Sequence, residues 1–271
     1  MKFLKGLVLL CGLVSAVQAQ TLHINRESLP QAKQYVLDRI LQSSYSQLIA
    51  FGKVYQSSSL DVFVQDLIKE LASQTPDFNC YFLNESSSYQ EAFNLLMSGN
   101  TLAAEEKYLE KFEFFHDIFK REFCFEILSQ VNMQEVKKLQ DLGLQVLAVD
   151  EGLTEPRIVG MGKAFKEYMS HRSSLDFYTA YVDVFLRQRN LSMAKNIENY
   201  YSNKKCSRGI FSVGNDHLFA NISDVPNLYN LLKEKLNIFS VSIKECNGLR
   251  DVRNKICRPE PQADITILIR D

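Results

Sequence analysis

Apolar residues recur along this chain in two rhythms. Six short stretches carry them almost without interruption: SQLIAFG (46–52), NCYFLN (79–84), LQVLAVD (144–150), GIFSVG (209–214), NIFSVSI (237–243) and ADITILIR (263–270). Such runs predict β-strands, and the first four, apolar more than alternating, predict strands covered on both faces. Between them apolar positions return every three to four residues. In 59–74, Leu60, Val62, Phe63, Leu67, Ile68 and Leu71 follow close to helical spacing, after Ser59, a residue suited to an N-cap. Further helical patterns cover 101–130 with a break near Arg121, 132–143 ending at Gly143, 174–203, and 224–237 with Pro226 in its first turn.

The order is β-α-β, then a helical excursion, then βαβ units. It predicts an α/β fold with a mostly parallel central sheet flanked by helices, and a helical insert at about 86–140 after the second strand. No internal repeat, low-complexity tract or Gly/Ser linker interrupts the pattern, so residues 20–271 are expected to form a single α/β domain.

The first residues follow a different logic. Lys2 and Lys5 precede an apolar core at 6–17, and Val17-Gln18-Ala19 supplies the small residues that a signal peptidase accepts. Residues 1–19 therefore read as a signal peptide, because twelve apolar or small residues fall short of the roughly 20 that span a bilayer. The alternative is an N-terminal anchor helix. Cys11 follows Leu10, a poor lipidation context. The expectation is an exported protein, periplasmic or secreted, with no integral membrane segment after processing. Losing Lys2 and Lys5 takes the formal charge from −1 to −3, and no basic block follows, so nucleic acid is not an expected partner.

Five cysteines remain after residue 19. Cys80 and Cys124 sit in apolar contexts and are expected as buried free thiols. Cys246 and Cys257 flank a polar loop and are expected to close it as a disulfide. Nothing in the Cys and His spacing suggests a zinc site.

Three separated pieces carry a resemblance: IAFGKVYQS (49–57), RNLSMAKNI (189–197) and GIFSVGNDHL (209–218). In that order they resemble the superfamily that contains the erythromycin esterases, the ChaN-like haem-binding lipoproteins and the TraB/Tiki proteins. Its members have a first strand ending in G-E-x-H, an acid after the second strand, R-N-x-x-M-A on a late helix, and a G-x-x-H loop. Arg189, Asn190, Met193 and Ala194 match the helix segment, and Gly214 and His217 match the last loop. Lys53 and Tyr55 stand where the glutamate and histidine belong, and Asn84, followed by Glu85, stands where the acid belongs.

The resemblance implies a hydrolase, a metal-binding or a haem-binding site, and the departures argue against inheriting it intact. Lys53 reverses the charge of a glutamate, and two like charges about 4 Å apart repel by roughly 4 kcal/mol at an effective dielectric near 20. A cation there weakens any divalent metal site. Tyr55 is read either as a ring packed at the pocket mouth or as a haem ligand. His217 is read either as a functional imidazole or as a structural one, and Arg189 either as a clamp for a ligand anion or as the partner of Asp150 or Glu151. His23, His116 and His171 are expected at the surface. Asn84, Asn190 and Asn221 head glycosylation triplets that matter only in a eukaryotic secretory pathway.

The expectation is a non-catalytic ligand-binding member with a degenerate site and no required cofactor. Its ligand pocket would gather Gly52, Lys53, Tyr55, Asn84, Arg189, Gly214 and His217 at the C-terminal edge of the sheet. Lys53 and Arg189, opposed only by Asp150 and Glu85, would make that pocket net positive and suited to an anionic small molecule or a carboxylate. The alternatives are a hydrolase, esterase or metalloprotease-like, using His217 with Glu85 or Asp150; haem binding through Tyr55; and a host-interaction protein.

Overall fold

The computed structural model describes residues 19–43, 45–53, 58–123, 133–151, 186–219, 225–246 and 257–270, with single positions between 154 and 166. The signal peptide, Tyr55, Cys124, His171, the triplet headed by Asn221 and the first part of the 174–203 helical pattern lie outside the described residues.

Seven strands form one sheet: β1 (Gln20–Asn25), β2 (Leu48–Lys53), β3 (Phe78–Ser86), β4 (Gln145–Asp150), β5 (Arg208–Gly214), β6 (Ile238–Cys246) and β7 (Ile265–Arg270). Their order across the sheet is β1-β7-β6-β2-β5-β3-β4, and every adjacent pair is parallel. All six strands read from the sequence are present. β1 escaped that reading because it is an edge strand, half-exposed along QTLHIN, and needs no continuous apolar run.

Helices α1 (Leu29–Gln42), α2 (Ser58–Gln74), α3 (Gln90–Met97), α4 (Thr101–Phe123) and α5 (Met133–Asp141) cover one face. The last three are the helical insert. Helices α6 (Gln188–Ser202), α7 (Asn215–Leu218) and α8 (Leu228–Lys233) cover the other. Alternation along the strands divides the core accordingly: Ile49, Phe51 and Ile210 join the α1–α5 side, and Leu48, Ala50, Phe211 and Val213 the α6–α8 side. Residues buried on both faces are what continuous apolar runs require. Among the described residues, no helix is long and apolar enough to cross a membrane.

Cys80 is not a free thiol. It is bonded to Cys206, 126 residues away, with a Cα–Cα separation of 5.8 Å, and the bridge ties the start of β3 to the turn between α6 and β5. An apolar context around Cys80 could not reveal this, because its partner approaches only through the crossover from α6 back into the sheet. Cys246 and Cys257 are bonded, as expected. Replacing Cys80 and Cys206 by alanine should lower unfolding stability by about 2–5 kcal/mol. Denaturant titration without reductant, compared with the unmodified protein under the same conditions, measures the loss.

Candidate functional site

Parallel strands deliver their C-terminal ends to a single edge, where ligands of open α/β sheets bind. Here that edge carries Gly52 and Lys53 from β2, Asn84 and Glu85 from β3, Asp150 from β4 and Gly214 from β5.

The pairing of β3 with β4 slips between Leu83 and Ser86, so Asn84 and Glu85 occupy a bulge. A bulge re-aims side chains that would otherwise alternate between faces. Asn84 Oδ1 accepts from Arg189 Nη2 at 3.2 Å. The same guanidinium meets Asp150 Oδ2 through Nε at 2.7 Å and Nη2 at 2.5 Å. Arg189 thus pairs with Asp150, and not with Glu151. The Asp150 side chain is 10% exposed and that of Arg189 27%, so this is a largely buried pair, costly to break from one side.

The next residue of α6 does a second job. Asn190, fully buried, donates from Nδ2 to the Pro226 carbonyl at 3.0 Å, which turns its Oδ1 toward His217 Nδ1 at 2.7 Å. A carbonyl only accepts, so the amide orientation is fixed. Nδ1 of His217 must then donate its hydrogen to Oδ1, and Nε2 keeps its lone pair. The RN pair of RNLSMA and the histidine of GNDHL, remote in sequence, form one hydrogen-bonded unit. Met193 and Ile197, further along α6, anchor it in the core.

Gly214 caps α7, the short helix that bears His217, with an ordinary extended backbone at φ −61°. The role of Gly52 is closeness. A Cβ there would lie 2.2 Å from Asn215 Oδ1 and 2.9 Å from the Phe219 ring, so only glycine lets α7 press on β2. Asn215 in turn exchanges hydrogen bonds with Ser242 of β6.

Lys53 departs from the expectation. It follows Phe51 on the α1–α5 face, and its Nζ pairs with Asp61 Oδ1 of α2 at 2.5 Å. With Arg189 on Asp150, each of these cations faces a carboxylate, so among the described residues this edge is not net positive: Lys53 and Arg189 are matched by Asp61 and Asp150 before Glu85 is counted. Asp61 was missed because nothing in a helical repeat marks which exposed acid will face a strand end.

Burial drives the titration of the two remaining groups. Glu85 is pushed up from 4.5 to about 7, first by desolvation and then by the neighbouring Asp150 charge, with Arg189 pulling the other way. His217 is pushed down from 6.5 to about 4, first by desolvation and then by Arg189, with Asp150 opposing. It is neutral at physiological pH. Neither Glu85 nor Asp150 hydrogen-bonds His217; the imidazole is held by an amide. Among the described residues, the buried Ser212 hydroxyl of β5 has no hydrogen-bond partner. No three His, Cys, Asp or Glu side chains of the described residues gather as metal ligands.

Elsewhere, His23 is exposed as expected, but His116 is half-buried and stacks on Phe112 at 5.6 Å between centroids. Asn190 is fully buried and Asn84 is engaged with Arg189, so neither presents an open glycosylation acceptor.

No family model matches the chain. No curated protein matches it either. Solved structures similar to it include a mutant of the erythromycin esterase EreC in its open conformation, at 13% identity and TM-score 0.48, covering 80% of this chain and 76% of that one. The haem-binding ChaN of Campylobacter jejuni, with cofacial haem, gives 12% identity and TM-score 0.43 over 76% of this chain and 85% of that one. A protein of Bacillus cereus gives 9% identity and TM-score 0.41 over 80% and 75%.

Two expectations follow. Asn190→Asp places a carboxylate on Nδ1 of His217 and should raise its pKa from about 4 toward or above 6.5, read by NMR titration of the ring. An unchanged value would mean that Asn190 does not hold the ring. The folded pKa of Glu85 lies above its unfolded value, so its contribution to stability is full below about 4.5 and is lost as pH rises through about 7. Glu85→Gln should therefore raise Tm at about pH 8, while leaving it nearly unchanged near the unfolded carboxylate pKa of about 4. Thermal unfolding at both pH values checks this.

Proposed function

We propose that this protein is exported as one α/β unit from residue 20 onward and acts as a non-catalytic, ligand-binding relative of the ChaN, Tiki and erythromycin-esterase-like proteins. Export is supported by the leader-like residues 1–19 and by the Cys80–Cys206 and Cys246–Cys257 bridges, which belong to oxidising compartments. The observation that carries the binding reading is the fate of the first loop. Lys53, in place of the glutamate, is tied to Asp61, and His217 rests on an amide that offers no charge to stabilise an imidazolium.

The donor set does not fit a divalent cation. Asp150 is consumed by Arg189, and Lys53 brings a positive charge to the position of the missing acid. The described residues supply no excess of positive charge to draw an anion either, for the same reason. Of the described groups at this edge, the Glu85 carboxyl is the one left outside an ion pair, so a polar, uncharged ligand that hydrogen-bonds it suits this edge better than the anion expected from sequence.

One observation favours hydrolysis as a second reading. A carboxyl titrating at about 7 is poised as a general acid–base at neutral pH, and Glu85 lies within electrostatic reach of Arg189. One set of assays separates the two. Under the binding reading, titration calorimetry shows no stoichiometric zinc on the purified protein, Lys53→Glu with Tyr55→His gains zinc affinity, and p-nitrophenyl ester hydrolysis equals that of Glu85→Gln. Ester hydrolysis lost in Glu85→Gln establishes the hydrolase instead. Zinc bound by the unmodified protein through His217 would overturn the degenerate-site reading.

A further inference from the structure

The opposite edge of the sheet holds a separate recess. Near the starts of β2, β6 and β7, a cavity of about 580 Å³ opens beside the C-terminal ends of α1 and α8. That volume suits a small molecule. Leu236, Ile238 and Phe239 line it with apolar surface, and Tyr229 adds an aromatic ring.

Two cations face this space. Arg39, in the last turn of α1, donates from Nη1 to Gln42 Oε1 at 3.3 Å, but its Nε is buried with no acceptor among the described residues. Lys233, the last residue of α8, holds its Nζ 5.4 Å from the Tyr229 ring centroid, and no carboxylate of the described residues pairs with it. The acid among the lining residues, Asp264, is turned to β6: its Oδ2 accepts from Ser240 N at 2.7 Å and from Ser240 Oγ at 2.9 Å. The contrast with the C-terminal edge is direct. There Lys53 and Arg189 each meet a carboxylate in direct contact; here no carboxylate of the described residues lies within ion-pair distance of Arg39 or Lys233, and Asp264 acts on Arg39 only across space.

A charged donor left without an acceptor is costly to bury. We propose that this cavity binds a small organic anion, with carboxylate or phosphate oxygens on the Arg39 guanidinium and beside Lys233, and an aromatic or aliphatic body against Tyr229, Phe239 and Leu236. The carbonyl ends of α1 and α8 oppose an anion. Arg39 and Lys233 offset those ends, so little field remains to hold an ion that lacks a body. Burial of apolar surface supplies the rest of the affinity, and inorganic phosphate alone binds poorly. This inference does not rest on the reading of the C-terminal edge.

Calorimetric titration of the whole protein with phenylacetate, phenyl phosphate, inorganic phosphate and neutral 2-phenylethanol tests it. Phenylacetate or phenyl phosphate binds, the tighter one naming the anion class, and inorganic phosphate and 2-phenylethanol bind at least about tenfold more weakly. Arg39→Met weakens the organic anion by about tenfold or more, as loss of a charge-assisted hydrogen bond requires. Lys233→Met, at an exposed position, weakens it in the same direction and serves if Arg39→Met fails to fold. Equal affinity for 2-phenylethanol overturns the proposal. So does an absence of binding by both organic anions, or binding that neither substitution changes.

Discussion

Two consecutive residues of α6 hold the C-terminal edge together. Arg189 crosses to Asp150 at the end of β4 and to Asn84 in the bulge of β3, while Asn190 grips His217 on α7 and the carbonyl of Pro226. The ion pair is mostly shielded from water, where Coulomb attraction is strong but desolvation is costly. Such a pair persists only with good geometry and further hydrogen bonds, and Asn84 and the Glu151 backbone N–H supply them. Through these contacts the edges of β3 and β4, the start of α6 and the His217 loop are fixed relative to one another.

The same contacts set the chemistry. With Asp150 spent on Arg189, burial raises Glu85 to about 7, so that it carries a proton on a large share of molecules near neutral pH. His217 is kept neutral by the same burial and by the nearby guanidinium. An acid near neutrality beside an imidazole that does not protonate favours hydrogen bonding over proton relay. Among the described residues the sheet consequently has two unlike ends: a polar edge with its cations in direct ion pairs where the strands finish, and a recess whose cations make no direct ion pair where they begin.

The sequence by itself determined six of the seven strands, the helical insert and the set of strand-end residues. Continuous apolar runs and helical spacing are local signals, and parallel strands must send their ends to a single edge. It also marked Arg189, Asn190, Gly214 and His217 as belonging together, although not how. Tertiary structure alone decided the partners. Asp61 reaches Lys53 from an exposed helix face, and Cys206 meets Cys80 across 126 residues. Asn215 closes on Gly52 where two elements pack. Charge balance, pKa and disulfide pairing depend on distances of a few ångströms between segments far apart in the chain. Periodicity fixes which face a residue occupies, but it does not fix which residue of another element stands opposite.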